Sequence, residues 1–587
     1  MTRIDIKRIK TLSQKRYSLP QERHVNKTIH TFTLAERSVF YFFVSLFVIS
    51  GLGLAWQVSE SYMVEVPTYG GTLTEGIVGN PRFINPVLAI SEADKDLTSL
   101  IYSGLIRIDA NGGVVNDIAS WIDISDNHLT YTVTLSTEAR FQDGSPVTAE
   151  DVAFTISKVM DPLIKSPRRG NWEGVNVSTP DDHTIVFTLK RPYAPFIYNL
   201  TLGILPKHIW KNVSADEFSF SQFNTLPIGS GAYQIKRVER NNGGIPNLYQ
   251  LKPFTNSLQN TYINNLVLKF YPSEDDLVEA YQNGDIESIA GLSPEKLKTL
   301  DTTNAKVIHS PLPRIFAVFF NQTHNKAIAD KAVRQALDTL APRREIIKEV
   351  FNGFATPISS PFPAGLYSWT SLDGYKTPEA SLKEAREILT KGGWVANTQT
   401  GLLEKKSGKD TIPLSFSIST GDAPELKHVA EILQTAWKQL GADVQVVAFE
   451  TGELNQSVIR PRNFDALLFG EMVGKDADLY PFWHSSQRSD PGLNISVYAN
   501  SKADRLLEQA RGTTDRDGLE AIHQSLSWEV RSDMPAVFLY TPSFIYILPN
   551  KVMNVGVGPL LSSTDRFANI RDWYIETDKV WEIFLNN

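Results

Sequence analysis

Cysteine is absent from all 587 residues. That rules out disulfides, thiolate metal sites and cysteine nucleophiles, and it leaves no thiol to carry a lipid anchor. Other chemistry is missing too. The ten histidines include no H-E-x-x-H pair of the kind that holds a catalytic zinc. Ser407-Gly408-Lys409-Asp410 lacks the earlier glycine and the following Ser/Thr of a phosphate-binding loop. Gly229-Ser230-Gly231 has the wrong spacing for the G-x-S-x-G turn that presents a serine nucleophile. Asp109-Ala-Asn-Gly-Gly113 opens like a calcium loop but puts glycine where a third oxygen ligand belongs, so a hairpin turn is expected there. No similarity recurs at a period of about 20 to 50 residues, which excludes a solenoid. No resident metal, cofactor or catalytic residue is expected.

What is present is a globular composition, 42% hydrophobic and 21% charged, with length for two or three domains. One run stands apart. Ser38 to Val58 (SVFYFFVSLFVISGLGLAWQV) holds 21 residues without a charge, and as a helix it spans about 30 Å, the thickness of a bilayer core. A transmembrane anchor over 38–58 is expected. The preceding residues 1–37 carry nine Lys/Arg against Asp5, Glu22 and Glu36, so the positive-inside rule puts this tail in the cytoplasm and the rest outside. A cleaved signal peptide has a shorter apolar core, roughly 7 to 15 residues, and a small-residue cleavage site. Gly51 to Met63 offers no A-x-A, so the anchor is expected to stay, followed by a polar linker over 59–68. Without the tail the remainder carries a net charge of −13, which argues against a nucleic-acid partner.

The most ordered motif is Arg140-Phe-Gln-Asp-Gly-Ser-Pro-Val-Thr-Ala-Glu-Asp-Val-Ala-Phe-Thr155. It follows a period-2 strand (Leu129, Tyr131, Val133, Leu135), turns at Asp143-Gly144, and starts a helix at Thr148 with Glu150 and Asp151 in its first turn. It resembles the "(K/R)FHDGTPLTAEDV" segment of the family 5 extracellular solute-binding proteins, the peptide and nickel receptors of ABC importers. Further segments resemble that family in the same order. They are Gly71-Thr-Leu-Thr-Glu-Gly76, Ile84-Asn-Pro-Val87, Leu100-Ile-Tyr-Ser-Gly-Leu105, Leu205-Pro-Lys-His-Ile-Trp210, Pro227-Ile-Gly-Ser-Gly-Ala-Tyr233, Gly284-Asp285-Ile286 and Asp330-Lys-Ala-Val-Arg-Gln-Ala-Leu-Asp338. They cover most of the chain beyond the anchor.

The residues themselves read as α/β. Arg314–Asn321, Pro413–Thr420, Val444–Phe449 and Phe464–Phe469 have strand patterns. Asp330–Leu340 and Pro424–Leu440 carry apolar residues at helical spacing, the second ending at Gly441. Alternating units of this length predict a mainly parallel sheet. The resemblance implies a two-lobed periplasmic-binding-protein-like fold of the large, cluster C type, with lobe I over 69–311 plus a return of 540–587 and lobe II over 312–539.

Phe469-Gly-Glu-Met-Val-Gly-Lys-Asp-Ala-Asp-Leu-Tyr-Pro-Phe-Trp-His-Ser-Ser486 resembles the family's "GWxxDxxDPxxFL" loop, in which an aspartate can meet a peptide ammonium. Glu471 stands at the tryptophan position and Val473 where the first aspartate would be, leaving Asp476 or Asp478 for that role, or for capping the next helix. Trp483, Tyr480 and His484 are candidate pocket walls. Asn321 and Trp369, with Asn85 and Glu75 on the first lobe, complete the candidate ligand-binding set. The function implied is a membrane-anchored receptor that binds peptides in the cleft and serves an ABC permease and ATPase. The rivals are a receptor for nickel chelate or another small solute, a tethered sensor or scaffold, and a peptide hydrolase pairing Asp476 with His484.

Overall fold

The computed structural model describes residues 31–110, 112–255, 261–370, 376–474, 477–558, 560, 562–581 and 583. The chain forms two compact units, Thr68–Glu576, and Met1–Pro67 with Thr577–Asn587.

In the large unit, strand Arg314–Phe320 shows why the interior is layered. Ile315, Ala317 and Phe319 join one apolar cluster while Val318 and Phe320 join another. Apolar residues at both parities bury both faces of the strand, which therefore lies inside the sheet. Ser415–Gly421 pairs in parallel with Asp443–Phe449 and with Ala466–Met472. Arg314–Phe320 pairs antiparallel with Ala466–Met472 and with Ala536–Pro549. The expected mainly parallel sheet is thus mixed. The helical crossover Pro424–Lys438 gives the parallel pair, whereas Arg314–Phe320 is entered from the neighbouring lobe and runs the other way.

The 14-residue strand Ala536–Pro549 serves both lobes. Its first half pairs with Arg314–Phe320. Its second half pairs with Ala305–Pro311 and Ser288–Ala290, and from there the sheet continues through Gly70–Val78, Ile263–Tyr271, Pro246–Pro253 and Tyr233–Arg240. The other connection, Pro311 to Arg314, lies beside it, Leu312 N–H donating to the Pro542 carbonyl at 2.9 Å. Two adjacent crossings, with Pro311, Pro313 and Pro542 among them, are the arrangement about which two lobes hinge.

The first lobe carries a four-stranded antiparallel sheet in the order Ala119–Ile124, Thr130–Leu135, Thr184–Thr188, Asn176–Asp181. Tyr131, Phe187, Phe196 and Trp172 pack its inner face. The Asp109 turn does join two antiparallel strands, Ile106–Ile108 and Val114–Asn116.

The motifs read separately along the chain are knotted together here. Asp151 accepts from the N–H and hydroxyl of Thr148 at 2.9 and 2.8 Å, capping helix Ala149–Met160, and its other oxygen accepts from Lys207 N–H at 2.8 Å. Thr155 Oγ1 accepts from Leu205 N–H at 2.9 Å, and Asp143 meets His208 Nε2 at 2.7 Å. Gln142 donates to the carbonyls of Ile101 and Tyr233 and accepts from Gly229 N–H. A Cβ on Gly229 would lie 2.0 Å from the Ile101 carbonyl oxygen. Only glycine allows that approach.

In the small unit, helix Leu34–Ser61 has 28 residues, opens on a Thr33/Glu36 capping box and has no buried residue. Its mean hydropathy reaches 2.1 over 18 residues, and at about 1.5 Å per residue it is about 42 Å long. The segment 59–68 expected as a linker is instead the last helical turn, a cap at Tyr62 and the strand Met63–Thr68. That strand pairs with Glu576–Trp581, so the last residues of the expected lobe I return belong to this unit.

Candidate ligand site

The expected site residues do not converge. Glu75 is fully buried in an ion-pair triad, its Oε1 accepting from Arg566 Nη2 at 2.7 Å while Arg566 also binds Asp96 at 2.6 Å. Tyr546 donates its hydroxyl to Glu75 at 2.5 Å. Burial opposes the Arg566 charge, but the two carboxylates outweigh it and hold its pKa above the ordinary arginine value. Asn85 is also fully buried, donating to Asn224 Oδ1 at 3.0 Å and accepting from Val87 N–H at 2.9 Å, which fixes the Asn-Pro turn. Asn321 closes the end of its strand by donating to the Arg462 carbonyl at 2.7 Å and accepting from Thr323. These three side chains are occupied with internal bonds.

Asp476 lies outside the described residues. Trp483 has no exposure and packs among Phe319, Tyr498 and Phe538, in the core rather than on a pocket wall. Trp369 stacks on Tyr367 at 5.1 Å and donates Nε1–H to Glu520 at 3.1 Å. His484 is buried, stacked on Tyr480 at 4.0 Å, and bonded through Nδ1 to Ser486 at 2.8 Å.

Asp478 alone of the expected residues lines the cavity between the lobes, and Tyr480 stands behind it against Arg511. This cavity has a volume of about 270 Å³ and walls from both lobes, His128, Tyr131 and Tyr198 on one side and Asp478, Arg511 and His523 on the other. Arg511, in the last turn of helix Ser501–Gly512, grips Asp478 through Nη2 at 2.6 Å and Nε at 2.9 Å. Its guanidinium lies 3.8 Å from the ring centre of Tyr480 and 5.7 Å from that of Tyr193 across the cleft, a cation–π arrangement. Asp478 Oδ1 also accepts from Tyr480 N–H at 3.0 Å, a local turn bond ahead of the short helix Tyr480–Trp483, whose N-cap is Leu479. His128 Nε2 and Thr514 Oγ1, 386 residues apart, meet at 3.1 Å. His523 Nδ1 is 2.7 Å from the Tyr367 hydroxyl. Burial pushes the His523 pKa down to about 4 against the pull of Asp478, and burial first, then Glu520, raises Tyr367 to about 12. Both are therefore neutral near pH 7. The cavity thus offers aromatic and aliphatic walls, one neutral imidazole and one guanidinium already neutralised by a carboxylate. It suits a polar, hydrogen-bonding ligand.

Sequence reasoning missed His128, Arg511, Thr514 and His523. They carry no local motif, and the fold alone brings them together. It also passed over the charge state of Glu471. Strand alternation puts this side chain on the face of Leu467 and Phe469, against the cluster that holds Trp483. It is buried, and neither carboxylate oxygen has a hydrogen-bond partner among the described residues. Burial raises its pKa well above the usual carboxylate range.

Two lobes joined by paired crossings, with a cleft lined from both, define a solute-binding protein. The model of the bacterial extracellular solute-binding proteins, family 5 Middle, matches residues 113–492, and the chain belongs to this family. It is similar to the oligopeptide-binding protein AppA of Bacillus subtilis, 28% identical over 525 residues, covering 87% of this chain and 92% of AppA. The structure of AppA in complex with a nonapeptide superposes with a TM-score of 0.65 at 27% identity, over 87% of this chain and all of that one. It is also similar to the nickel-binding protein NikA of Staphylococcus aureus, 23% identical over 442 residues, or 74% of this chain and 82% of NikA. The fold matches NikZ of Campylobacter jejuni, solved with Ni(L-His), with a TM-score of 0.66 at 24% identity, over 86% of this chain and 99% of NikZ.

Proposed function

We propose that this chain is a membrane-tethered, extracytoplasmic receptor that closes on peptides between its lobes and delivers them to the permease of an ABC importer. The nucleotide is hydrolysed by a separate ATPase chain. The lobes are 69–311 with 540–576, and 312–539, and helix Leu34–Ser61 is the tether. One observation carries this reading, the cavity whose walls come from both lobes and are bridged by Arg511 and His128. A ligand touching both walls favours the closed state through its differential affinity for it. The name of AppA and its nonapeptide complex favour peptides as the ligand class. At about 270 Å³ the cavity is below the roughly 300–1,000 Å³ of drug-sized ligand sites, so the lobes separate to admit anything longer than a very short peptide.

The test is mass spectrometry of what co-purifies with the full chain in detergent, followed by thermal-shift titration with that compound. Saturation at about a hundred times the dissociation constant stabilises a receptor by about 2.7 kcal/mol. Short peptides that raise the melting temperature support the proposal. A recovered nickel chelate, or a melting temperature unmoved by peptide pools, refutes it.

A further inference from the structure

The strand Glu576–Trp581 ends beside the membrane helix, and its exposed side chains are of the kind found at a bilayer surface. Direction comes from its successive contacts. Ile575 stands against Gly71 and Glu576 against Gly70, so that a Cβ on either glycine would collide with them. Farther along, Lys579 Nζ is 3.1 Å from Glu60 Oε1, in the last turn of helix Leu34–Ser61. As the strand advances its neighbours fall in number, so it runs back toward the helix end. Trp581 and Ile583 lie beyond Lys579 in that direction. They are 42% and 72% exposed, in the company of Trp56 and Tyr62 at 72% and 59%.

Three physical arguments converge. A two-stranded sheet is at best marginally stable in water without a further surface to pack on, and this one leaves Val64 and Trp581 exposed. The helix is about 42 Å long against a hydrocarbon core of about 30 Å, so its polar end, Ser59-Glu60-Ser61, sits at headgroup depth, level with Lys579. Tryptophan and tyrosine prefer that depth, with an apolar ring and a polar tip. The surrounding charges are mostly acidic (Glu60, Glu65, Glu576, Asp578), which rules out attraction to anionic headgroups as the driving force.

We propose that Trp581 and Ile583 insert into the bilayer interface, making the terminal strand a second membrane contact. This rests on the membrane reading of helix Leu34–Ser61.

The absence of native cysteine gives the test a clean background. Single variants of the full chain, Ile583→Cys and Trp581→Cys, are labelled with an environment-sensitive fluorophore, alongside Leu46→Cys within the span and Val395→Cys on the large unit. They are reconstituted in phosphatidylcholine nanodiscs and probed with iodide and with lipids spin-labelled near the headgroup or deep in the chain. The proposal predicts a blue-shifted emission at 583 and 581, loss of iodide quenching relative to 395, quenching by the shallow spin label, and no change when anionic lipid is added. Iodide quenching at 583 and 581 equal to that at 395, with 46 quenched by the deep label, overturns the inference and leaves the anchor intact. Protection from iodide without quenching by either lipid overturns it in favour of a protein partner on this strand. Iodide access at 46 as well refutes the membrane reading and the inference together.

Discussion

Glu471 is a buried carboxyl group with no hydrogen-bond partner among the described residues, and it should set part of the pH response of the second lobe. Its folded pKa is raised by burial above the ordinary value of 4.5, so the stability it contributes is full below 4.5 and is lost as pH rises toward the folded value. Glu471→Gln should flatten the melting temperature above pH 4.5, the gap from the parent widening by up to about 1.4 kcal/mol per pH unit in that window. His523 acts at the other end. Its folded pKa of about 4 lies below the ordinary 6.5, so its contribution is present above 6.5 and lost as pH falls toward 4. His523→Phe should remove that acid-side loss, read from the same melting curves. Arg566 is a harder position. Arg566→Met strands Glu75 and Asp96 in the interior and should cost about 3–5 kcal/mol in urea denaturation, whereas replacing all three with apolar residues should recover most of it.

Among the elements, helix Ala149–Met160 and its entry turn were legible because their determinants are local. Asp143-Gly144, Thr148 and Asp151 act within a few residues of one another. The bonds from this segment to Ile101, Leu205, Lys207 and Gly229 join parts of the chain with no pattern in common, and before the structure only family resemblance hinted at them. Gly229 and Gly144 separate the two kinds of constraint. Gly229→Ala drives a Cβ into backbone and should cost about 1–3 kcal/mol or more. Gly144 has φ +89° and open space around it, so Gly144→Ala should cost only the strain of a left-handed residue, about 1–2 kcal/mol. Strand direction was not legible. The apolar run of Arg314–Phe320 is the same whichever end the chain enters, and its entry from the other lobe is a property of topology. The cavity was legible only in part, through Asp478. Trp483, chosen for its ring, has an apolar body that suits a core as well as a cleft, and sequence does not distinguish the two.

On the scale of the whole molecule, the proposed function rests on two lobes that share one long strand and meet again at a cavity. Arg511 reaches from Asp478 toward Tyr193, and Thr514 reaches to His128, so closure has specific contacts to gain even before a ligand adds its own. Arg511→Ala should therefore shift the lobes toward the open state and weaken ligand affinity. The measurement that bears most directly on this account is single-molecule FRET between fluorophores at Leu163→Cys on the first lobe and Val395→Cys on the second, both exposed and both unique thiols in the full chain. Addition of a peptide that raises the melting temperature is predicted to move a broad distribution to one closed population, with Arg511→Ala needing more peptide for the same shift. A stabilising peptide that leaves the distribution unchanged would contradict it.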